Sequence, residues 1–156
     1  MNINQMQLED FFEIKQSLQQ FWHERHQYFE PYHRPILFYE FGDTAYVIKE
    51  KGEVVAYLFG LLSQTIKTAY VHLIAVKSDC QKHGYGRSLY DHFIAFAKIR
   101  GYTKVKAITS PKNIVSVKFH QKIGMMLLGD VNPEGIPVVK DYAGPGEDRV
   151  VFEKEI

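Results

Sequence analysis

The chain has one cysteine, Cys80, among 156 residues. That excludes an internal disulfide framework and a zinc site built on several thiolates, and it fits a reducing compartment. Charge of one sign is missing too: 19 Lys and Arg stand against 18 Asp and Glu, a formal +1. Such a balance predicts neither a nucleic-acid coat nor a polybasic membrane anchor. No apolar run approaches the roughly 18 residues that a membrane span needs. Near the start, Phe11-Phe12 is far too short for a secretory signal core. The expected location is therefore cytoplasmic. Internal repeats and low-complexity tracts are absent, and the length suits one domain, residues 1–156, with a core of its own.

What is present is organised around Tyr70–Ile99. Tyr70 to Val76 reads as a buried strand, Lys77–His83 as a polar turn, and the residues from Gly84-Tyr85-Gly86 onward as the start of a helix. In that helix Tyr85, Leu89, Phe93 and Phe96 recur at helical spacing and face a core. Gly84 and Gly86 let the backbone turn tightly and let something come close to it. The first amides of a helix have no internal partners and carry the positive end of its dipole, which is a phosphate-binding geometry. Lys77, Lys82, His83 and Arg87 surround the turn, and Lys82 and Arg87 add candidate charge-assisted contacts. The plainer alternative is a glycine-rich connection with its basic residues in solvent.

Upstream, Asn2–Met6 is a short candidate strand. Leu8, Phe11, Phe12, Leu18 and Phe21 form a stripe that predicts one amphipathic helix of about four turns. Phe21–Phe41 is dense in aromatics (Trp22, Tyr28, Phe29, Tyr32, Phe38, Tyr39) with His23, His26 and His33 between them. Pro31 and Pro35 limit helix length, so a second, shorter helix and a loop are expected. This segment either walls a pocket for an acceptor or simply covers the sheet with large side chains. His23 and His26 lack a further anchored ligand, so no metal site is expected. Ala45–Glu50, the turn Lys51-Gly52 and Val54–Leu62 read as a hairpin. Gly60 inside its second strand points to a bulge or a close backbone approach.

Downstream, Gly101 ends the central helix, and Val105–Thr109 is a fifth strand. The strand–helix–strand crossover predicts that it lies parallel to Tyr70–Val76, with a ligand expected at their C-terminal ends. A helix opened by Pro111 and Asn113 turns Val115, Phe119 and Ile123 to the core and stops at Gly124. Met125–Val131 is a strand or most of one, Tyr142–Asp148 a loop, and Arg149–Glu153 the last strand. The fold class is α/β of the mixed α+β kind: a mostly antiparallel sheet, a central parallel pair, and helices on both faces.

Two segments carry a family likeness. Gln81, Gly84 and Gly86 fill a pattern of arginine or glutamine, two residues, glycine, one residue, then glycine or alanine. This resembles the pyrophosphate-binding signature of the GCN5-related N-acetyltransferase (GNAT) family. Asn113, Ser116, Phe119, Gly124 and Met125 resemble that family's later motif, and the order of elements is similar over nearly the whole chain. The resemblance implies a GNAT-like acyltransferase fold whose parallel pair is splayed for acetyl-coenzyme A, used as a cosubstrate without a metal. It implies backbone amides of Lys82, His83, Gly84, Tyr85, Gly86 and Arg87 on the pyrophosphate, with Gln81 at their start. Ile74 and Val76 would pair through their backbones with the pantetheine arm, and Asn113, Ser116 and Phe119 would bind further along. The implied reaction is direct attack of an amine on the thioester.

Two positions depart from the family pattern: Lys82 stands at a common glycine, and His120 stands where many members have a tyrosine acting as general acid. An imidazole donates or accepts near neutral pH. His120 is thus a candidate catalytic acid, the alternatives being a substrate contact or a surface histidine. His72, two strand pairs before Val76, is a candidate base acting directly or through water, the alternative being a packed histidine. Lone Cys80 has no positioned partner for nucleophilic chemistry, and Tyr90 and His92 read as packing and surface residues. A non-catalytic acyl-coenzyme A-binding or regulatory domain is the competing function. A Rossmann unit is disfavoured by Lys82, which stands where its fingerprint needs glycine. Expected partners are a small-molecule amine or a protein amine, with no nucleic acid and no membrane, in a monomer or homodimer.

Overall fold

The computed structural model describes residues 2–156. In chain order the elements are β1 (Ile3–Gln5), α1 (Leu8–Gln16), α2 (Leu18–Trp22), α3 (His26–Phe29), α4 (Pro35–Phe41), β2 (Ala45–Glu50), β3 (Glu53–Leu62), β4 (Thr68–Val76), α5 (Tyr85–Ile99), β5 (Lys104–Thr109), α6 (Ile114–Lys122), β6 (Met126–Leu128), β7 (Asp130–Val131), β8 (Pro137–Val138) and β9 (Val150–Glu155). Short 3₁₀ turns fill His23–Arg25, Glu30–Tyr32, Gly42–Thr44 and Ser78–Cys80. Backbone contacts divide the chain into two compact units, Met1–Leu61 with His72–Phe96 and Leu62–Val71 with Ala97–Ile156. Among the described residues no helix is long and apolar enough to cross a membrane.

In the first unit β1 pairs antiparallel with β2, and β2 with β3, the latter with a register shift between Ile48 and Lys49. Phe11, Ile14, Leu18, Phe21 and Trp22 of the helical layer share a buried cluster with Val47, Tyr57, Phe59 and Leu73 of the strands. The expected four-turn helix is interrupted. Ser17 turns its hydroxyl back onto the Glu13 carbonyl at 2.8 Å and sits at φ −112°, ψ 19°. A serine hydroxyl competing for a helix carbonyl is a known source of such breaks. The chain from Leu18 to Thr44 is then a series of short helical turns, more helical than the single helix and loop expected.

Gly60 marks a close approach, and the bulge of its strand lies elsewhere, at Val55, which is skipped between the Ile48–Ala56 and Lys49–Val54 pairs. A Cβ built on Gly60 would meet the Phe93 ring at 2.4 Å. Phe93 is fully buried in α5, so the ring has nowhere to go. Gly60→Val is expected to destabilise by about 1–3 kcal/mol in denaturant titration. Phe93→Leu in the same chain should recover part of that loss. A Gly60→Val chain as stable as wild type would disprove the packing argument.

The second unit contains the predicted crossover pair. Thr68–Val71 of β4 lies parallel to Lys104–Ala107 of β5. β5 pairs antiparallel with β9, and β9 with β6. The expected Met125–Val131 strand is split at Gly129, whose φ is +94°. A Cβ there would lie 2.0 Å from the Val138 carbonyl oxygen, so β7 leaves β9 and pairs with β8 instead. The buried face of α6 also differs from expectation. Val115 is 74% exposed, while Val117 and His120 are buried. Phe119 and Ile123 are half-buried.

Candidate functional site

In the first unit, β4 delivers His72, Ile74 and Val76 half-buried, alternating with buried Leu73 and Ala75. Lys77 follows, buried; its amide donates to the Val55 carbonyl at 2.9 Å, and its ammonium lies 5.8 Å from the Phe21 ring centre. Ser78–Cys80 makes one 3₁₀ turn. The Cys80 carbonyl accepts from His83 Nδ1 at 3.0 Å, and the His83 ring stacks on Tyr85 at 5.7 Å. Lys82 at φ +69° and Gly84 at φ +84° then reverse the backbone. Ser88 donates to the Gly84 carbonyl at 3.0 Å and closes the first helical ring of α5. The amides of Tyr85, Gly86 and Arg87 come ahead of that ring and have no intrahelical acceptor.

A Cβ built on Gly84 meets nothing within 4 Å, so space over the turn is open. Gln81, Lys82, His83, Gly84 and Arg87 are exposed, whereas Tyr85 and Gly86 are buried. The Tyr85 hydroxyl is tied to the Glu50 carboxylate, and Arg87 meets Asp91 at 3.6 Å in a solvent-exposed pair that is worth little. Amides at the start of a 15-residue helix, with Lys82 and Arg87 beside them, form a donor set suited to a pyrophosphate. Cys80 is a thiol with its pKa pushed up, by burial first and then by Asp79. Among the described residues no group of three His, Cys, Asp or Glu side chains stands close enough to hold a metal ion.

The helical segment of the same unit is fixed by a hydrogen-bonded chain. Trp22 Nε1–H donates to the Tyr57 hydroxyl at 2.7 Å, which donates to His33 Nε2 at 2.7 Å. His33 Nδ1–H donates to the Phe29 carbonyl at 2.7 Å. A carbonyl only accepts, so His33 carries its proton on Nδ1 and receives at Nε2. Burial, with help from the charges of His72 and Lys15, lowers the His33 pKa from 6.5 to about 4. His72 has ring neighbours Tyr32 at 6.0 Å and Phe59 at 6.2 Å. Burial lowers its pKa also, so it is a neutral imidazole at pH 7 and chemically a base.

One backbone outlier lies at the end of α2. His23 adopts φ 50°, ψ −130°, a conformation that costs a non-glycine residue of order 1–3 kcal/mol. Ser78 donates its hydroxyl proton to the Gln20 carbonyl at 2.8 Å and lies 3.0 Å from His23 Nε2. Sequence reading missed Tyr57, His33 as a network member, and the Ser78 contact. Partners 24 to 58 positions apart leave no local pattern to find.

In the second unit Asn113 caps α6. Its Oδ1 accepts from the Ser116 amide at 3.3 Å, and its Nδ2 donates to Thr109 Oγ1 at 3.1 Å. His120 is 3% exposed and stacks on Phe152 at 4.2 Å and 10°, with Phe119 edge-on at 5.1 Å. The surface alternative for His120 is thereby removed. Its Nδ1–H donates to the Ser116 carbonyl at 2.8 Å, with Ser116 Oγ at 3.2 Å. Burial lowers its pKa from 6.5 to about 4. At pH 7 the imidazole is neutral with its proton on Nδ1, so Nε2 is an acceptor and not a proton donor.

A mixed sheet with a parallel pair, and a strand–turn–helix with open space beside Gly84 at the turn, define the class as an α/β acetyltransferase fold. Residues 8–125 match the model of the acetyltransferase (GNAT) family, and the chain belongs to that family. Solved structures agree on the fold at low identity. Ard1 from Thermoplasma volcanium is 17% identical with a TM-score of 0.78, over 99% of this chain and 97% of that one. The ribosomal-protein-S18-alanine N-acetyltransferase from Escherichia coli is 18% identical with a TM-score of 0.69, over 99% and 93%. An aminoglycoside 6'-N-acetyltransferase complexed with coenzyme A is 14% identical with a TM-score of 0.72, over 99% and 97%. No curated protein matches the sequence.

Proposed function

We propose that residues 1–156 form one N-acetyltransferase domain that moves the acetyl group of acetyl-coenzyme A onto a primary amine by direct attack. The observation that carries this reading is the turn Lys82–Arg87, with its left-handed Lys82 and Gly84 and the open space beside Gly84. When bound, acetyl-coenzyme A supplies the thioester that the amine attacks. Amides of residues 82–87 would hold the pyrophosphate, with Lys82 and Arg87 adding charge. Backbone groups of Ile74 and Val76 would receive the pantetheine arm. Asn113 already spends Oδ1 on the α6 cap and one Nδ2 hydrogen on Thr109 Oγ1, which leaves its second Nδ2 hydrogen to offer.

Neutral His72 would take a proton from the incoming ammonium. His120 would act as a neutral residue that fixes the first turn of α6 through Ser116, and the leaving thiolate would take its proton from elsewhere. The acceptor would be a small-molecule amine or a protein amine. The competing reading keeps the cofactor and drops the chemistry; the absence of an obvious acid at His120 favours it.

The test is calorimetric titration with acetyl-coenzyme A and coenzyme A, using wild type and the double variant Gly84→Glu, Gly86→Glu. Carboxylates at the turn should weaken binding at least about tenfold, or 1.4 kcal/mol, in a variant whose circular dichroism shows it folded. An amine screen follows, and binding without turnover on any amine would select the non-catalytic reading. A folded wild type that binds neither ligand would overturn both.

A further inference from the structure

A cleft of about 490 Å³ lies in the first unit at β1, the edge strand of the sheet. One wall is the end of β1 and the start of α1, with Gln5, Met6 and Leu8. The other is the end of α4 and the turn after it, with Phe38, Tyr39, Glu40 and Asp43. Met6 is buried, and Phe38 stacks at 5.1 Å on buried Phe11, so both walls are anchored in the core. Leu8 is 36% and Tyr39 61% exposed. Glu40 and Asp43 are exposed as well, and among the described residues neither forms an ion pair. They end a stretch, residues 2–44, that holds seven Asp and Glu against three Lys and Arg. An aromatic ring and two unspent carboxylates beside an apolar wall suit a Lys or Arg side chain: its stem packs on Leu8 and Tyr39, and its cation meets the carboxylates.

The same cleft carries an open strand edge. β1 pairs with β2 on one side, and among the described residues no strand pairs with it on the other. The Met6 amide donates to the Ala45 carbonyl at 2.8 Å. Peptide groups alternate in direction along an antiparallel strand, so those of Ile3 and Gln5 point away from β2. Gln5 therefore belongs both to the edge and to the cleft wall. A small amine would use the carboxylates alone. An extended chain would use the carboxylates and the edge together: main-chain hydrogen bonds hold it, and every second side chain falls on the cleft side. A second copy of this chain would bring two acidic surfaces together, so charge selects a basic partner instead.

We infer that the cleft is a docking site for an extended basic segment of another polypeptide, which adds as a strand to β1 and seats a Lys or Arg side chain between Tyr39 and the carboxylates of Glu40 and Asp43. This goes beyond the acetyltransferase reading and does not depend on it. No atom of the glycine turn takes part, so docking needs no coenzyme A. Exposed carboxylates are screened by salt, so the ionic part of the contact is salt-sensitive, while the strand pairing is not.

The experiment is fluorescence anisotropy of the full chain with an end-blocked, fluorescein-labelled peptide of about six residues, lysine alternating with valine. Wild type should bind it saturably, equally well with and without coenzyme A, and severalfold more weakly in strong salt. The same peptide with glutamate in place of lysine should not bind. Methylating every peptide nitrogen of the probe leaves the protein untouched and should weaken binding by about fivefold or more, because the edge hydrogen bonds are lost. Glu40→Lys combined with Asp43→Lys should weaken it at least about tenfold, and Tyr39→Ala about threefold, in chains whose circular dichroism matches wild type. A folded wild type that does not bind the lysine peptide overturns the inference. So does unchanged affinity in the double charge reversal, which would put the peptide elsewhere. Full affinity of the methylated probe, or displacement of the peptide by an equal concentration of spermine, would mark a cation site without strand addition and overturns it too. Self-association of wild type in sedimentation, abolished by Gln5→Pro, would give the edge to a second copy and not to a basic partner.

Discussion

Tyr57→Phe is expected to cost the fold about 2–5 kcal/mol, although it removes a single oxygen. That oxygen accepts from Trp22 and donates to His33, both at 2.7 Å, and Tyr57 is 1% exposed. Phenylalanine keeps the ring and its edge-to-face contact with Phe21 at 5.1 Å. It leaves a buried indole N–H and a buried imidazole nitrogen without this partner. Each such group costs about 1–3 kcal/mol of desolvation with nothing in return. Replacing one end instead, as in Trp22→Phe, removes a donor and leaves Tyr57 still donating to His33; its cost should come mainly from lost volume beside Phe29, which stacks on Trp22 at 3.8 Å. Urea unfolding checks the first prediction: the midpoint of Tyr57→Phe should fall with the slope unchanged. A loss under about 0.5 kcal/mol would mean that the chain of hydrogen bonds adds nothing beyond shape.

That network also shows where sequence reading reaches its limit. Alternation and turn chemistry are local, so they disclosed the hairpin at Lys51-Gly52, the parallel crossover and the tight turn at Gly84. The Gly60 approach was legible for the same reason: a glycine inside a strand needs a cause, and Phe93 supplies it. The break at Ser17 was not legible, because the apolar stripe continues through it at helical spacing. What decides there is one hydroxyl choosing the Glu13 carbonyl. On α6 the spacing of Val115, Phe119 and Ile123 is helical as well, but Val117 and His120 point inward. The hydrophobic period fixes a helix without fixing its rotation when apolar residues lie on two faces. His120 is the sharpest case. The family pattern gives its position, while its protonation comes from Phe152 and the Ser116 carbonyl, which no motif encodes.

Acid should unfold this chain early, and two histidines account for most of the effect. His33 and His120 are each 3% exposed, and each has its pKa lowered from 6.5 to about 4, burial being the first cause. Above pH 6.5 they are neutral in both folded and unfolded chains and stability does not depend on them. As pH falls from 6.5 towards 4 the unfolded chain takes up the protons first, so stability drops by up to about 1.4 kcal/mol per pH unit for each histidine. Below about 4 both forms are protonated and the loss levels off at about 3 kcal/mol each. Together this is comparable with the 5–15 kcal/mol that typically separates a folded domain from its unfolded chain. Burial is why the sites resist the proton, against the pull of the Phe29 and Ser116 carbonyls on Nδ1; at His33 a second N–H would also face the Tyr57 hydroxyl, which would have to turn its own hydrogen away. Glu153, held low by Lys104 first and then Lys106, adds a loss of the same sign at lower pH, small because the pair is partly exposed. The measurement is urea unfolding at intervals from pH 7.5 to 3.5. Near pH 5 unfolding should take up close to one proton at each of His33 and His120, with a further contribution from His72, whose pKa burial also lowers. His120→Phe keeps a ring against Phe152 and cannot titrate, so its uptake there should fall by close to one. Stability that stays flat from pH 7 to 4.5, or a His120→Phe chain with the wild-type slope, would show that these imidazoles are protonated in the folded protein and that burial does not hold them neutral.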